Sequence, residues 1–190
     1  MLNLPLVTML FVGVNLDFFV ILLFLLQKYR FKDTLVGYIL GMLSVFFISS
    51  LLGQTIQTFV PEWAIGLLGL IPIYMGIKGE DDDEVQANHQ YKGILSVLFI
   101  YIASCGADNI AVYVPVLATM SLHAVIITAI YFIILTIISI TLAYYFGKLS
   151  FIQKFFQRWG EHATRIIYIL IGLFVMIDTG LFTHILKWLL

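Results

Sequence analysis

The sequence predicts an all-α integral membrane protein, with six transmembrane helices arranged as two inverted three-helix repeats. Composition, the number of apolar stretches and the placement of basic residues predict it. Of the 190 residues, 62% are hydrophobic and only 11% charged, and mean hydropathy is +1.05. A soluble domain carries about 25% charged residues, so this chain has too few polar groups to cover a water-facing exterior. Stretches of about 20 apolar residues cross a bilayer, and six fit: residues 4–27, 34–60, 62–78, 93–119, 122–147 and 164–187. With these spans, nine basic residues fall on the side of the first, third and fifth connections: Lys28, Arg30, Lys32, Lys78, Lys92, Lys148, Lys154, Arg158 and Arg165. Lys187 alone falls on the other. Positive charge marks the cytoplasmic side, which places both termini outside.

Each element has its own justification. No basic region precedes the first span and no small-residue cleavage pattern follows it, so it reads as a retained span rather than a cleaved signal. The second carries Gly37 and Gly41 four residues apart, a spacing that lets helices approach closely. The third is the weakest, because only Trp63 to Ile77 is free of charge. Pro72 cannot donate a hydrogen bond to the carbonyl of Leu68, and Pro115 in the fourth span likewise frees that of Ala111. His123 falls in the connection before the fifth span, and His184 near the outer end of the sixth. Trp63, Trp159 and Trp188 lie near proposed span ends, where the indole favours the headgroup level. The predicted organisation is a first repeat over 1–78, an acidic cytoplasmic linker over 79–92 and a second repeat over 93–190. The linker run from Glu80 to Glu84, with His89, reads as a solvated loop in preference to a metal collector.

The halves resemble one another. Aligning "LLGLIPIYMGI" (67–77) with "LIGLFVMIDTG" (170–180) superposes Gly69 on Gly172, and Asp17 of "VNLDFFVILL" matches Asp108 of "GADNIAVYVP". Two units of three spans must have opposite topology. That is the inverted-repeat plan of many secondary transporters, which bind their cargo near the midplane where the repeats meet.

Several function classes are excluded. The net charge of −1 and the lack of a basic stripe remove a footing for nucleic acid. The single cysteine, Cys105, rules out an internal disulfide and a Cys-x-x-Cys motif. No Ser/His, paired-His or multi-Cys arrangement lies within one membrane depth, so an enzyme is not expected and no resident cofactor is implied.

The intramembrane acids remain to be explained. Between Lys92 and Lys148, Asp108 is the sole Asp, Glu, Lys or Arg. An Asp at the centre of a spanning helix costs about 2.5–3.5 kcal/mol, and Asp17 with Asp108 together about 5–7 kcal/mol if nothing compensates. A lone Asp has a structural reading as a protonated hydrogen-bond donor between helices. Two at matching positions, each accompanied by an asparagine (Asn15, Asn109), favour a site. Together they form an oxygen-rich set suited to a divalent cation. Neither pair lies on one helical face, so a site using all four predicts bent or unwound backbone, which Gly13 and Gly106 would permit. Cys105 and Ser104 precede Asp108 by three and four residues and share its predicted face. A thiolate there would favour soft metals, although a lone cysteine is more often a small buried hydrophobe. Asp178 is a candidate ligand or proton relay near a helix end.

These segments resemble a known family. "NLD" in the first span, "LLGLIPIYMGIKG" in the third, "GADNIAVYVP" in the fourth and "IGLFVMIDTG" in the sixth are similar to the cadmium resistance transporter (CadD-type) family of the lysine-exporter (LysE) superfamily, six-span inverted-repeat carriers. The resemblance covers nearly the whole chain. It implies a transporter in a bacterial cell (inner) membrane that exports Cd2+, and perhaps Zn2+, as substrate. Carried over by position, the metal site uses Asn15, Asp17, Asp108 and Asn109. Ser104-Cys105 stands where asparagine is expected beside Gly106, and Asp178 where glutamate is usual. Those departures bear on metal preference.

The expected mechanism is proton antiport. The cation enters from the cytoplasm and binds Asp17 and Asp108. After its release, two carboxylates in a low dielectric favour protonation, and the protonated carrier returns. Two alternatives stay open: an amino-acid or other organic-cation exporter of the same superfamily, and a cation channel. Against the first stands the absence of an Arg or Lys deep in a span to pair a substrate carboxylate. Besides metal and lipid no partner is specified; small six-span units often form a homodimer, but no residue pattern here dictates one.

Overall fold

In the computed structural model, residues 3–78, 93–147 and 149–189 are described, and all regular structure in them is helical. The expected acidic linker at 79–92 lies outside the described residues. The order is α1 (Leu4–Lys28), α2 (Phe31–Phe59), α3 (Glu62–Ile65), a 3-10 turn (Gly66–Gly69), α4 (Leu70–Lys78), α5 (Ile94–Ala118), α6 (Leu122–Phe146), α7 (Ser150–Asp178) and α8 (Leu181–Leu189). Five segments are long and apolar enough to cross a membrane: α1, α2, α5, α6 and Arg158–Asp178 of α7. At 25 residues each, α1, α5 and α6 are about 37 Å long.

Two expected spans differ from the observed helices. The stretch 62–78 is not one regular helix; it tightens into the 3-10 turn at Gly66–Gly69. Two glycines weaken the α-helix there, and Pro72 withholds the hydrogen bond that would hold Leu68 in it. The last long helix runs over 150–178 instead of 164–187. It ends at Thr179 and Gly180, the glycine at φ 69°, a conformation that costs glycine least and commonly stops a helix. Lys154, Arg158 and Arg165 therefore ride on α7 rather than in a connection. Arg165 lies inside an apolar candidate span, contrary to the expectation that no base sits at that depth. Its guanidinium is engaged: Nη2 donates to the Lys78 carbonyl at 3.0 Å, and Nε lies 3.4 Å from Glu161 Oε1.

Glycines set the packing. A side-chain carbon on Gly37 would stand 2.6 Å from the Ile94 carbonyl, one on Gly41 2.9 Å from the Tyr101 ring, and one on Gly53 3.0 Å from the Val114 carbonyl. The three contacts rise together along both chains, so α2 and α5 run parallel in close contact. Thr8 pairs with Tyr131 at 2.9 Å, Phe11 with Phe132, and Leu23 lies beside Gly147; α1 and α6 are likewise parallel. Against α7, the segment α3 to α4 runs antiparallel, Gly66 meeting Thr179, Gly69 meeting Gly172 and Gly76 meeting Arg165. Helix α1 also runs antiparallel to α7, with Gly13 against Ile167 and Asp17 against Gly160. One end of the bundle thus gathers the α1–α2 and α6–α7 connections. We term it the basic end, for Lys28, Arg30 and Lys32.

The core between α1, α2, α5 and α6 is aromatic. Phe18 packs on Tyr38 and Tyr101 with ring centroids 4.7 Å apart in both pairs, and Phe46, Tyr113 and Phe132 form a second cluster. Many large apolar side chains on the outer faces of α2 and α6, among them Phe47, Leu51, Ile130 and Ile134, are exposed. This outside is suited to lipid.

Candidate functional site

Four helices shape the region around the intramembrane acids. Asp17 sits midway along α1 and Asp108 midway along α5, both half-buried. They are near enough for their charges to interact. Across from Asp17 the backbone of α7 has no side chain, because residue 160 is glycine; a carbon placed there would stand 3.9 Å from Asp17 Oδ1. One turn further along α7, Thr164 is 2% exposed and its hydroxyl has no hydrogen-bond partner among the described residues. Other helical threonines bond the carbonyl four residues back, as Thr8 does to Leu4 and Thr128 to Ala124. Gly160 and Thr164 carry no signal in the sequence that sets them apart. Only the antiparallel packing of α1 on α7 brings Gly160 to Asp17.

The asparagines lie in a separate polar network beside the acids. Asn15 is 3% exposed, and its Nδ2 donates to the Phe11 carbonyl at 2.9 Å. Its Oδ1 accepts from the Tyr38 hydroxyl at 3.0 Å and lies 3.1 Å from that of Tyr101. Asn109 is fully buried. With its amide oriented to suit its neighbours, Nδ2 donates to the carbonyls of Val14 at 2.9 Å and Cys105 at 3.2 Å, and Oδ1 meets the Tyr101 hydroxyl at 2.8 Å. Tyr101 thus brings one hydroxyl proton to two amide oxygens. This network joins α1, α2 and α5 with groups that would each cost about 1–3 kcal/mol if left unpaired.

Asp17 and Asp108 lie within reach of each other's charge, and half-buried Ser104 precedes Asp108 by one turn of the same helix. Helices α1 and α5 continue unbroken through Gly13 and Gly106, both at ordinary helical φ. The expected unwinding is absent, because Asn15 and Asn109 meet their hydrogen-bonding needs on the core face without it. Cys105 is buried on the same face, within electrostatic reach of Tyr38, Tyr101 and Tyr113. Half-buried Ser104 donates to the Ile100 carbonyl at 2.7 Å. Asp178 is exposed at the end of α7. Trp63 stacks on His184 with centroids 4.2 Å apart, which gives that histidine a packing role between α3 and α8. No three of His, Cys, Asp and Glu cluster among the described residues, so a cation held here would take its charge compensation from the two aspartates.

The family model of the cadmium resistance transporter matches residues 11–188, nearly the whole chain and both aspartates. The chain belongs to the cadmium resistance transporter family. No curated protein and no solved structure matches it. Membership in a transporter family also accords with the lack of enzyme-like arrangements in the sequence.

Proposed function

We propose that this protein exports a divalent heavy-metal cation, Cd2+ or Zn2+, from the bacterial cytoplasm by secondary-active transport, with the cation held between Asp17 and Asp108. The observation that carries the reading is the mutual approach of these half-buried carboxylates from α1 and α5. Two carboxylates neutralise a divalent ion, and each is otherwise costly at this depth. Gly160 leaves room beside Asp17. In this reading Asn15 and Asn109 hold α1 against α5 and serve as ligands only if they exchange their present partners. Cys105 and Ser104 then act from the neighbouring turns of α5, and Asp178 relays protons at the far end.

The packing supports a six-span inverted repeat. Helices α1 and α5 run antiparallel, as do α3–α4 and α7, and in the aligned halves these are equivalent elements. Gly69 and Gly172, equivalent by sequence, meet each other: a carbon on either would press the other's carbonyl. Reciprocal contact between equivalent residues is what a two-fold axis produces. Broken helix 62–78 would then be the third span, the basic end would face the cytoplasm, and rocking of one half on the other would alternate access. Inward proton flow would drive export, protons replacing the metal on the two aspartates.

Calorimetric titration of the purified protein tests the site. Cd2+ should bind wild type, and Asp17→Asn or Asp108→Asn should weaken it by more than about tenfold, since even loss of a ligand's supporting partner costs about 10–100-fold. Heat with lysine but none with Cd2+ would shift the reading to an organic-cation exporter.

A further inference from the structure

Opposite the basic end, the structure contains a cavity of about 300 Å³ among Gln57, Val60, Glu62, Ala118, Thr119 and Thr179. It is some distance along the helices from the aspartates, since Asp108 lies ten residues before Ala118 on α5, about 15 Å at 1.5 Å per residue. Three long helices end at its wall: α2 at Phe59, α5 at Ala118 and α7 at Asp178. Helix C-termini carry partial negative charge, which favours a cation nearby, although Gln54 Nε2 already donates to the Leu117 and Met120 carbonyls at the end of α5. The carboxylate of Glu62 adds a full negative charge.

The hydroxyls of the lining threonines donate within their own helices, as others in the chain do. Thr119 Oγ1 donates to the Val116 carbonyl at 2.8 Å, and Thr179 Oγ1 to the Val175 carbonyl at 2.8 Å. With both protons committed to their own helices, what the two oxygens have left to offer is lone pairs. Gln57 contributes a neutral amide oxygen of the same class. No Lys, Arg or His lines the cavity, so nothing there offsets the negative charge.

We infer that this cavity is a second divalent-cation site, built from oxygen ligands, where Glu62 and the ends of α2, α5 and α7 receive a metal ion leaving the Asp17–Asp108 pair. It rests on the export reading proposed above for the direction of transfer, but its binding chemistry stands on the cavity itself. An all-oxygen site with one carboxylate has fewer charges than the aspartate pair and coordinates hard cations in flexible geometry. It is the weaker of the two, as a release site must be.

Equilibrium dialysis of radioactive Cd2+ against the full chain in lipid nanodiscs tests this. Wild type should bind two Cd2+ at saturation, Glu62→Gln one at the higher affinity, and Asp108→Asn one at the lower affinity. Gln is isosteric with Glu, and residue 62 is exposed at the start of α3, so the variant should keep its fold; Thr119→Val, which spares the carboxylate, should weaken only the low-affinity site. Two ions bound by Glu62→Gln, or a single wild-type ion that this variant retains, would overturn the second site. Two ions bound by Asp108→Asn would instead remove the aspartate pair and leave the cavity proposal standing.

Discussion

Two kinds of intramembrane polar residue behave differently in this chain. Asn15 and Asn109 are buried and bonded to carbonyls and tyrosine hydroxyls, whereas Asp17 and Asp108 are half-buried and share each other's electric field. The distinction follows from chemistry, because a neutral amide can be satisfied by a few hydrogen bonds and a carboxylate in lipid needs a counter-charge or a proton. Tyr101 connects both amides, so Tyr101→Phe should destabilise the fold by about 1–3 kcal/mol, read as a lower midpoint of denaturant unfolding in detergent. Unchanged stability would mean that the hydroxyl network holds nothing together. At Gly160 a bulkier side chain would grow toward Asp17 Oδ1. Gly160→Leu should therefore weaken Cd2+ binding by about tenfold or more while leaving the helix content seen by circular dichroism intact. The aspartates were legible in the sequence as charged residues inside long apolar runs. Gly160 was not, since it reaches Asp17 only through the packing of α7 on α1, which no local pattern encodes.

Among the elements, four of the six expected spans coincide with α1, α2, α5 and α6 to within a few residues, because long runs of apolar side chains bounded by charge fix a helix by length alone. The sixth was displaced. An apolarity criterion shifts its window away from Lys154 and Arg158, whereas the helix tolerates both near its start and stops where Gly180 takes positive φ. The third was recognised as short, and its internal 3-10 turn falls where two glycines and Pro72 were visible but their combined effect on backbone form was not. Glycine stripes were readable as contacts yet did not name a partner. The structure assigns Gly37, Gly41 and Gly53 to α5. Gly37→Val should cost about 1–3 kcal/mol by overpacking against Ile94 and Val97, and a melting temperature equal to wild type would contradict the close α2–α5 contact.

At the scale of the whole molecule, α1 pairs with α5 and α3–α4 with α7 in opposite directions, the contact surface on which the proposed rocking would take place. If protons replace the metal on Asp17 and Asp108, acidifying the outside should accelerate Cd2+ export from loaded vesicles, and flux indifferent to the gradient would remove proton coupling while leaving the binding site in place. The central claim is that Asp17 and Asp108 carry the cation. The most direct test is Cd2+ flux into or out of proteoliposomes containing wild type or Asp108→Asn, both verified as folded. Wild type should show saturable flux and the variant a drop of more than about tenfold, toward empty vesicles; equal flux in the two would mean that Asp108 does not carry the cation.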